Sequence, residues 1–227
     1  MYRYFIQPQL DKFNNSLIGY EMLIRYREHP EDRWTLPENF ASIPIDVQIS
    51  LLKATARELS LKIASVSINF NRKQFLDPGI VEAVIEAQKQ LFPTKIVVEV
   101  TEEPGEHTYS NADMLAQIKA IKAHGLEFSL DDVGTGINVY DHIKPLLDYA
   151  EEIKFAMQNF RKEGREDEIP EQLKFWRDVA NQYDARLILE GVENDPEDAL
   201  ANDLEIPLRQ GYYYGKPHLF KLKADRC

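Results

Sequence analysis

The feature that most constrains this chain is the alternation of short apolar runs with longer amphipathic segments. Eight runs are rich in the β-branched and aromatic residues that favour strands. They read YRYFIQP, LIGYEMLIRY, ASVSINF, KIVVEV, LEFSL, YAEEIKF, ARLILE and IPLRQGYYY. Strands that alternate with helices form βαβ units and a mostly parallel sheet, and eight of them suffice to close a barrel. The pattern therefore predicts an α/β protein of the (β/α)8 barrel class.

The amphipathic segments between these runs are predicted to be helices. They cover residues 45–59, 78–91, 110–123, 169–182 and 196–203. Asp195 and Pro196 are typical of an N-cap and a first-turn proline. Two connections are predicted to lack a regular helix. Residues 137–147 show only a weak helical pattern, and the charged stretch 161–170 is typical of a solvated loop.

The first connection departs from a regular barrel. Only DKFNNS, residues 11–16, separates the first two strand runs. That is too short for the crossover helix that joins parallel strands. We therefore expect strands one and two to be antiparallel, which gives a modified TIM (β/α)8 barrel with one antiparallel strand.

The composition excludes several classes of protein. The formal net charge is −11, whereas a binder of duplex nucleic acid needs a basic face. No apolar run approaches the ~20 residues that span a bilayer, and the N-terminus lacks the apolar core of a signal peptide. The only cysteine is Cys227, which permits no intrachain disulfide and suits a reducing cytoplasm. We expect a cytoplasmic protein with a single domain over residues 1–227.

Polar residues recur where the predicted strands end, which is where barrel enzymes place their chemistry. They are Glu21, Asn69, Glu99, the pair Asp131 and Asp132, Lys154, Glu190 and Gln210. Each has an ordinary explanation when taken singly. A strand-end Glu is usually exposed, two Asp residues before Gly-x-Gly suit a tight turn, and a lone Lys suits an ion pair. Their occurrence on seven consecutive runs favours one shared site at the barrel mouth.

A cluster of carboxylates at one opening requires cations. Glu21 and Glu99 lie inside apolar runs, where an unpaired carboxylate is costly to bury. Oxygen ligands favour Mg²⁺ or Mn²⁺, and the absence of His and Cys from the strand-end set argues against zinc. Two such ions can hydrolyse a phosphodiester, with Lys154 polarising the attacking water or the phosphate. The sequence therefore predicts a two-metal phosphodiester hydrolase.

The chain resembles the EAL-type phosphodiesterases of bacterial cyclic di-GMP signalling. The name-giving triplet reads Glu21-Met22-Leu23 in this chain. The other matching motifs are QP at 7–8, SINFN at 67–71, EVTE at 99–102, DDVGTG at 131–136, IK at 153–154, EGVE at 190–193 and QGYYYGKP at 210–217. The motifs occur in the family's order and extend over nearly the whole chain.

The resemblance implies hydrolysis of cyclic di-GMP to linear pGpG with Mg²⁺ or Mn²⁺, and a homodimer. It implies metal ligation by Glu21, Asn69, Glu99, Asp131, Asp132 and Glu190. It gives catalytic roles to Lys154, Glu21, Glu190 and Gln210, with Lys154 contacting the attacking water. It gives substrate binding to Arg25 and Gln7, support of the DDVGTG loop to Glu102, and support of the ligands to Glu193.

Several positions depart from the family pattern. The family's Lys-Ile-Asp is Lys154-Phe155-Ala156 here, so one acid near the site is missing. Val133 replaces a Phe, for which we expect only a packing change, and the segment 37–50 is short. The alternative function is therefore a catalytically weak or inactive EAL-type cyclic di-GMP receptor or protein-interaction module. A third alternative is an acidic barrel with no nucleotide role. We also expect at least two of the three tyrosines at 212–214 to pack in the core.

Overall fold

Seven parallel strands and one reversed strand close the barrel in a computed structural model that describes residues 1–59, 62–101 and 110–223. The strands are β1 (Tyr2–Asp11), β2 (Ser16–Tyr26), β3 (Ser65–Asn71), β4 (Lys95–Thr101), β5 (Glu127–Leu130), β6 (Glu152–Ala156), β7 (Arg186–Glu190), β8 (Leu208–Arg209) and β9 (His218–Leu219). Strands β2 to β8 are parallel neighbours in chain order, and β1 is antiparallel to both β2 and β8. The predicted fold class, including the reversed strand, is confirmed.

Helices cover the outside of the barrel. They are α1 (Ile45–Leu59), α2 (Arg72–Phe75), α3 (Pro78–Leu91), α4 (Asn111–Lys122), α5 (Tyr140–Leu147), α6 (Met157–Lys162), α7 (Ile169–Gln182) and α8 (Asp195–Asp203), with 3-10 turns at Phe40–Ser42 and Glu166–Glu168. All five predicted helices are present. The N-cap of α8 is Asn194 rather than Asp195, because the Asn194 side chain accepts a hydrogen bond from the Glu197 amide.

Three local predictions are wrong. Residues 137–147 contain α5, which buries Ile143, Leu146 and Leu147 although Pro145 lies inside it. The stretch 161–170 is not one loop, because it includes the end of α6 and the second 3-10 turn. Only Tyr214 of the three tyrosines packs against the core, while its two preceding neighbours are about half exposed.

The core lies between the barrel wall and the helices. Large side chains such as Phe128, Phe155, Phe160 and Trp176 are fully buried there. Each apolar side chain of this kind contributes roughly 1.5–3 kcal/mol by leaving water. Packing on this scale fixes the strands and therefore the positions of the polar residues at their ends. Within the described part of the chain, no helix is both long and apolar enough to cross a membrane.

Candidate functional site

The ammonium group of Lys154 is the centre of the polar cluster at the barrel mouth. Its Nζ lies 2.8 Å from Glu99 Oε2 and 2.6 Å from Glu190 Oε1. Two more carboxylates, those of Glu21 and Asp131, lie 3.7 Å and 3.9 Å away. The Lys154 side chain is only 1% exposed. Four carboxylates from different strands or strand ends therefore converge on one buried cation.

Strand register brings these residues together. Asn69 on β3 is the register partner of Glu99 on β4. Glu190 on β7 is the partner of Ala156 on β6, two residues after Lys154. In a parallel sheet, such partners point to the same side of adjacent strands. The sheet therefore places side chains that are distant in sequence around the same opening.

Amide side chains hold Glu21 from two sides. Asn69 Nδ2 donates to Glu21 Oε1 over 2.8 Å, and Gln210 Nε2 donates to Glu21 Oε2. Gln210 also reaches Gln7 Oε1 at 3.2 Å, while Gln7 Nε2 donates to the Gly215 carbonyl. The predicted residues Glu21, Asn69, Gln210 and Gln7 thus form one connected network on the side of β1, β2, β3 and β8.

A strained turn carries the two aspartates. Asp132 has φ of 52°, a left-handed conformation that is uncommon for residues other than glycine. Its amide donates to Asp131 Oδ1 over 3.0 Å. Asn138 Nδ2 donates to the Asp131 carbonyl, and the Asn138 oxygen accepts from Arg72. These buried contacts fix the direction in which both carboxylates point.

The oxygens of Asp131, Asp132 and Glu190 can hold a divalent cation. One carboxylate oxygen from each of the three lies within 4.8 Å of the others. Among the described residues, Glu99 Oε1 is buried and has no hydrogen-bond partner. A donor set made only of oxygens suits Mg²⁺ or Mn²⁺ better than a softer metal. The residues present therefore fit the hard cations that the sequence predicts.

Burial and mutual repulsion raise the pKa values of most of these acids. Burial raises the pKa of Asp131 to about 7 and that of Glu190 to about 8, although Lys154 opposes both shifts. Burial and the charge of Glu190 raise the pKa of Asp132 to about 6. Glu21 differs, because Lys154 and the two amide donors outweigh burial and lower its pKa. One lysine does not neutralise this cluster, so further positive charge would be stabilised here.

A groove of about 720 Å³ includes the carboxylates in its lining. Arg25, half-buried and with its guanidinium 5.8 Å from the Phe5 ring, lines it together with Phe40 and Tyr212. Glu193 also lines the groove, is about half exposed, and pairs with Arg161 at 3.0 Å. The remaining predicted residue, Glu102, lies outside the described residues.

Sequence reasoning missed three residues next to the acids. Asn138 and Arg72 hold the aspartate turn, and Asn159 Nδ2 donates to Asp132 Oδ1 over 2.7 Å. Arg72 and Asn159 act across 66 and 27 residues of sequence, and Asn138, only seven residues from Asp131, belongs to no motif in the predicted pattern. Ala156, at the position of the missing acid, is buried and supplies no polar side chain.

Comparison with known proteins identifies relatives over most of the chain. It is 25% identical over 226 residues to the bifunctional diguanylate cyclase/cyclic di-GMP phosphodiesterase MucR of Pseudomonas aeruginosa, covering 93% of this chain and 32% of MucR. It is also 25% identical to the probable cyclic di-GMP phosphodiesterase PdeG of Escherichia coli, covering 94% of this chain and 44% of PdeG. The chain thus spans less than half the length of these two curated relatives.

Solved structures share the fold. The structure described as the PaMucR phosphodiesterase in complex with c-di-GMP matches with a TM-score of 0.79 and 22% identity, over 96% of this chain and 92% of that one. Klebsiella pneumoniae BlrP1, in a manganese and cy-diGMP complex, matches with a TM-score of 0.77 and 20% identity, over 96% and 56%. Residues 2–217 match the EAL domain family. The chain belongs to the EAL domain family.

Proposed function

We propose that this protein hydrolyses cyclic di-GMP to linear pGpG with Mg²⁺ or Mn²⁺, using two ions. The observation that carries the proposal is the convergence of four buried carboxylates on Lys154 at the mouth of an EAL-family barrel. Relatives named as cyclic di-GMP phosphodiesterases support the substrate, and the manganese complex of a structural neighbour supports the metal.

The six oxygen-bearing residues predicted as ligands are proposed to hold the ions. They are Glu21, Asn69, Glu99, Asp131, Asp132 and Glu190. For Asn69 this requires the amide oxygen, rather than the nitrogen that now faces Glu21, to turn inward. When bound, the ions supply Lewis-acid activation of the attacking water and neutralise charge on the phosphate.

Lys154 is proposed to orient the attacking water and to stabilise negative charge that develops on the phosphodiester. Burial opposes its charge, but Glu190, Glu21 and Glu99 outweigh burial and raise the pKa of Lys154 well above its usual value. The group therefore stays protonated and acts as a donor and a positive charge, not as a base.

Distinct roles are proposed for the remaining predicted residues. Gln210 connects Glu21 to Gln7, and we propose that it orients the Glu21 carboxylate. Arg25, which lines the groove, is proposed to bind a phosphate of the substrate. Glu102 and Glu193 retain the supporting roles that the family resemblance implies.

The direct test is an assay of purified protein with cyclic di-GMP and Mn²⁺ or Mg²⁺, with nucleotide products separated by chromatography. We expect linear pGpG that depends on added metal and disappears with chelator. The matched control is Glu21→Ala. Absence of product from the wild type under both metals, at a level equal to the Glu21→Ala control, contradicts the proposed function.

Ala156 favours a second candidate, a receptor that binds cyclic di-GMP without hydrolysing it. The position faces Glu190 across the β6–β7 register and offers no carboxylate for a metal on that side. This function would be supported if calorimetry detects binding of cyclic di-GMP while the assay with Mn²⁺ detects no product. If the missing acid limits turnover, Ala156→Asp is expected to increase product formation.

The proposed assembly is a homodimer. Exposed apolar side chains next to the aspartate turn support it, since Val139 is 44% exposed and Phe175 is 42% exposed. Tyr140 links them, with its ring centroid 5.5 Å from that of Phe175. Light scattering during size-exclusion chromatography is expected to give twice the monomer mass, and Phe175→Glu is expected to shift the mass toward the monomer.

A further inference from the structure

The six-residue helix α6 lies between the turn that carries Asp132 and the turn that follows Glu190. It follows β6 directly, so the same segment that supplies Lys154 continues into this helix. Gly191, next to Glu190, has φ of 73°. A Cβ at Gly191 would lie 1.9 Å from Gln158 Oε1, so the turn after Glu190 packs directly against α6.

The first contact from α6 orients Asp132. Asn159 Nδ2 donates to Asp132 Oδ1 over 2.7 Å. The Asp132 backbone is in the left-handed region, which few residues other than glycine adopt. Asn159, which lies outside this turn, holds the Asp132 carboxylate in one direction through its hydrogen bond.

The second contact from α6 fixes the turn after Glu190. Arg161 Nη2 donates to the Gly191 carbonyl over 2.9 Å, and Nη1 donates to Glu197 Oε1 over 2.8 Å. The other oxygen of Glu197 accepts from the Glu193 amide at 2.7 Å. The guanidinium and Glu197 therefore hold the backbone on both sides of Val192 in place.

These contacts differ from an ordinary surface ion pair. A solvent-exposed pair contributes about 0–1 kcal/mol and positions nothing in particular. The Arg161 side chain is only 24% exposed, and it binds a main-chain carbonyl directly adjacent to Glu190 as well as two carboxylates. A guanidinium can hold such a set because its donors have fixed relative directions.

We propose that α6 is the positioning element of the Asp131, Asp132 and Glu190 cluster. It acts through Asn159 on Asp132 and through Arg161 on the turn that follows Glu190. This inference rests on the proposed function, since it assigns to these residues the geometry of the cation site. Asn159 and Arg161 are positioning residues, because Asn159 donates to the Asp132 carboxylate and Arg161 donates to the backbone next to Glu190.

The test is titration of Mn²⁺ into purified protein, followed by calorimetry and by the electron paramagnetic resonance of the bound ion. Removing groups that orient metal ligands typically weakens metal affinity about 10- to 100-fold. We expect Arg161→Met to weaken Mn²⁺ binding by about 10-fold or more and to broaden the spectrum of the bound ion. Arg161→Lys, which keeps the charge but loses the planar guanidinium that reaches several acceptors at once, is expected to give an intermediate affinity.

The matched control is Arg177→Met on α7. Arg177 is similarly exposed at 27% and also binds a carboxylate and a main-chain carbonyl, those of Asp178 and Leu204. It lines a separate cavity with Arg186 and Pro207 instead of the groove above the acids. We expect its loss to leave the Mn²⁺ affinity unchanged. Equal weakening in Arg177→Met and Arg161→Met would overturn the inference, because the effect would then be one of general stability.

The Asn159→Ala variant decides the outcome if Arg161→Met does not fold. We expect it to keep the wild-type circular dichroism spectrum and to weaken Mn²⁺ binding about fivefold. Unchanged affinity in Asn159→Ala and in each folded Arg161 variant overturns the inference. Failure of the wild type to bind Mn²⁺ at all contradicts the proposed function instead, so the two failures are distinguishable.

Discussion

The two halves of the acidic site are held in place by different means. The strand half consists of Glu21, Asn69 and Glu99, which lie inside β2, β3 and β4. The turn half consists of Asp131, Asp132 and Glu190, which lie where a strand enters a turn with a residue of positive φ.

Sheet register positions the strand half, and its acids are held by Asn69, Gln210 and Lys154, which belong to the predicted set. The turn half depends on side chains from elsewhere, namely Asn138, Asn159 and Arg161. The two halves therefore carry the same kind of oxygen ligand but are held in place by different kinds of contact. The turn half is where substitutions outside the ligand set are expected to act.

The largest expected effect is loss of a residue from either half. Glu21→Ala and Asp131→Ala are each expected to reduce turnover by about 10³-fold or more, or about 4 kcal/mol in transition-state stabilisation. Initial rates of pGpG formation measure this. Glu82→Ala on α3, which removes an exposed acid remote in sequence, serves as the control and is expected to retain full activity. Substantial turnover in either site variant would show that its half is dispensable.

Backbone strain in the turn half gives the next effect. Gly134 has φ of 88°, and a Cβ there would lie 2.8 Å from Trp176 Nε1 and 3.1 Å from Phe160 Cζ. We expect Gly134→Ala to destabilise the fold by about 3 kcal/mol, from strain and overpacking together. Gly164 has φ of 69° with open space around it. Gly164→Ala is therefore expected to lower the free energy of unfolding by only about 1 kcal/mol.

Urea unfolding at equilibrium measures both variants. Equal destabilisation by Gly134→Ala and Gly164→Ala would mean that the aspartate turn is not constrained by the packing of Trp176 and Phe160.

The pH dependence gives a further test of the turn half. The folded-state pKa values of Asp131 and Glu190 are raised to about 7 and about 8, from ordinary values of 3.8 and 4.5. The folded protein therefore binds more protons than the unfolded chain between those limits. Its stability in chelator should fall as pH rises, by up to about 1.4 kcal/mol per pH unit for each group.

Urea unfolding in chelator at about pH 5.5 and at about pH 8.5 tests this slope. Mn²⁺ affinity should change in the opposite direction, rising with pH by up to about tenfold per unit for each proton released. Glu190→Gln is the control and should reduce the slope of both measurements. Stability that rises with pH through this window would contradict the assigned direction of the pKa shifts.

The smallest predicted effect concerns substrate binding beside the strand half. Arg25 is on β2 with Glu21, so its position is set by the same strand. Arg25→Met is expected to raise KM about fivefold, or about 1 kcal/mol, with little change in kcat, because a phosphate contact made in both the ground state and the transition state is lost. Steady-state kinetics measure the two constants separately. A change confined to kcat would assign Arg25 to the chemical step.

The strand half and the barrel could be predicted from the sequence because both depend on local patterns. The alternation of apolar runs predicted the strands, and the short connection at 11–16 predicted that the first strand is reversed. Glu21 and Glu99 stood out because they interrupt such runs. Helix α5 could not be predicted in this way, because its buried face covers only three residues and Pro145 lies inside the helix.

The support of the turn half could not be predicted because it is non-local. Asn159 meets Asp132 across 27 residues, and Arg161 meets Glu197 across 36. No periodicity links such pairs, and α6 itself is too short for a helical pattern. At least two of the three tyrosines at 212–214 were predicted to pack in the core because aromatic residues usually do, whereas the chain turns at that point and leaves Tyr212 and Tyr213 exposed.

The reversal of β1 also shapes the entrance. A parallel barrel surrounds its mouth with a loop after every strand, but the turn after β1 lies at the opposite end of the barrel, since Tyr2 pairs with Tyr26 and Asp11 pairs with Ser16. The rim is therefore missing one loop on the side of β1 and β2, where Arg25 and Tyr212 line the groove. In place of a loop after β1, the segment that follows β8 borders the groove there, since Gln210, Tyr212 and Pro217 line it and Gln7 on β1 donates to the Gly215 carbonyl.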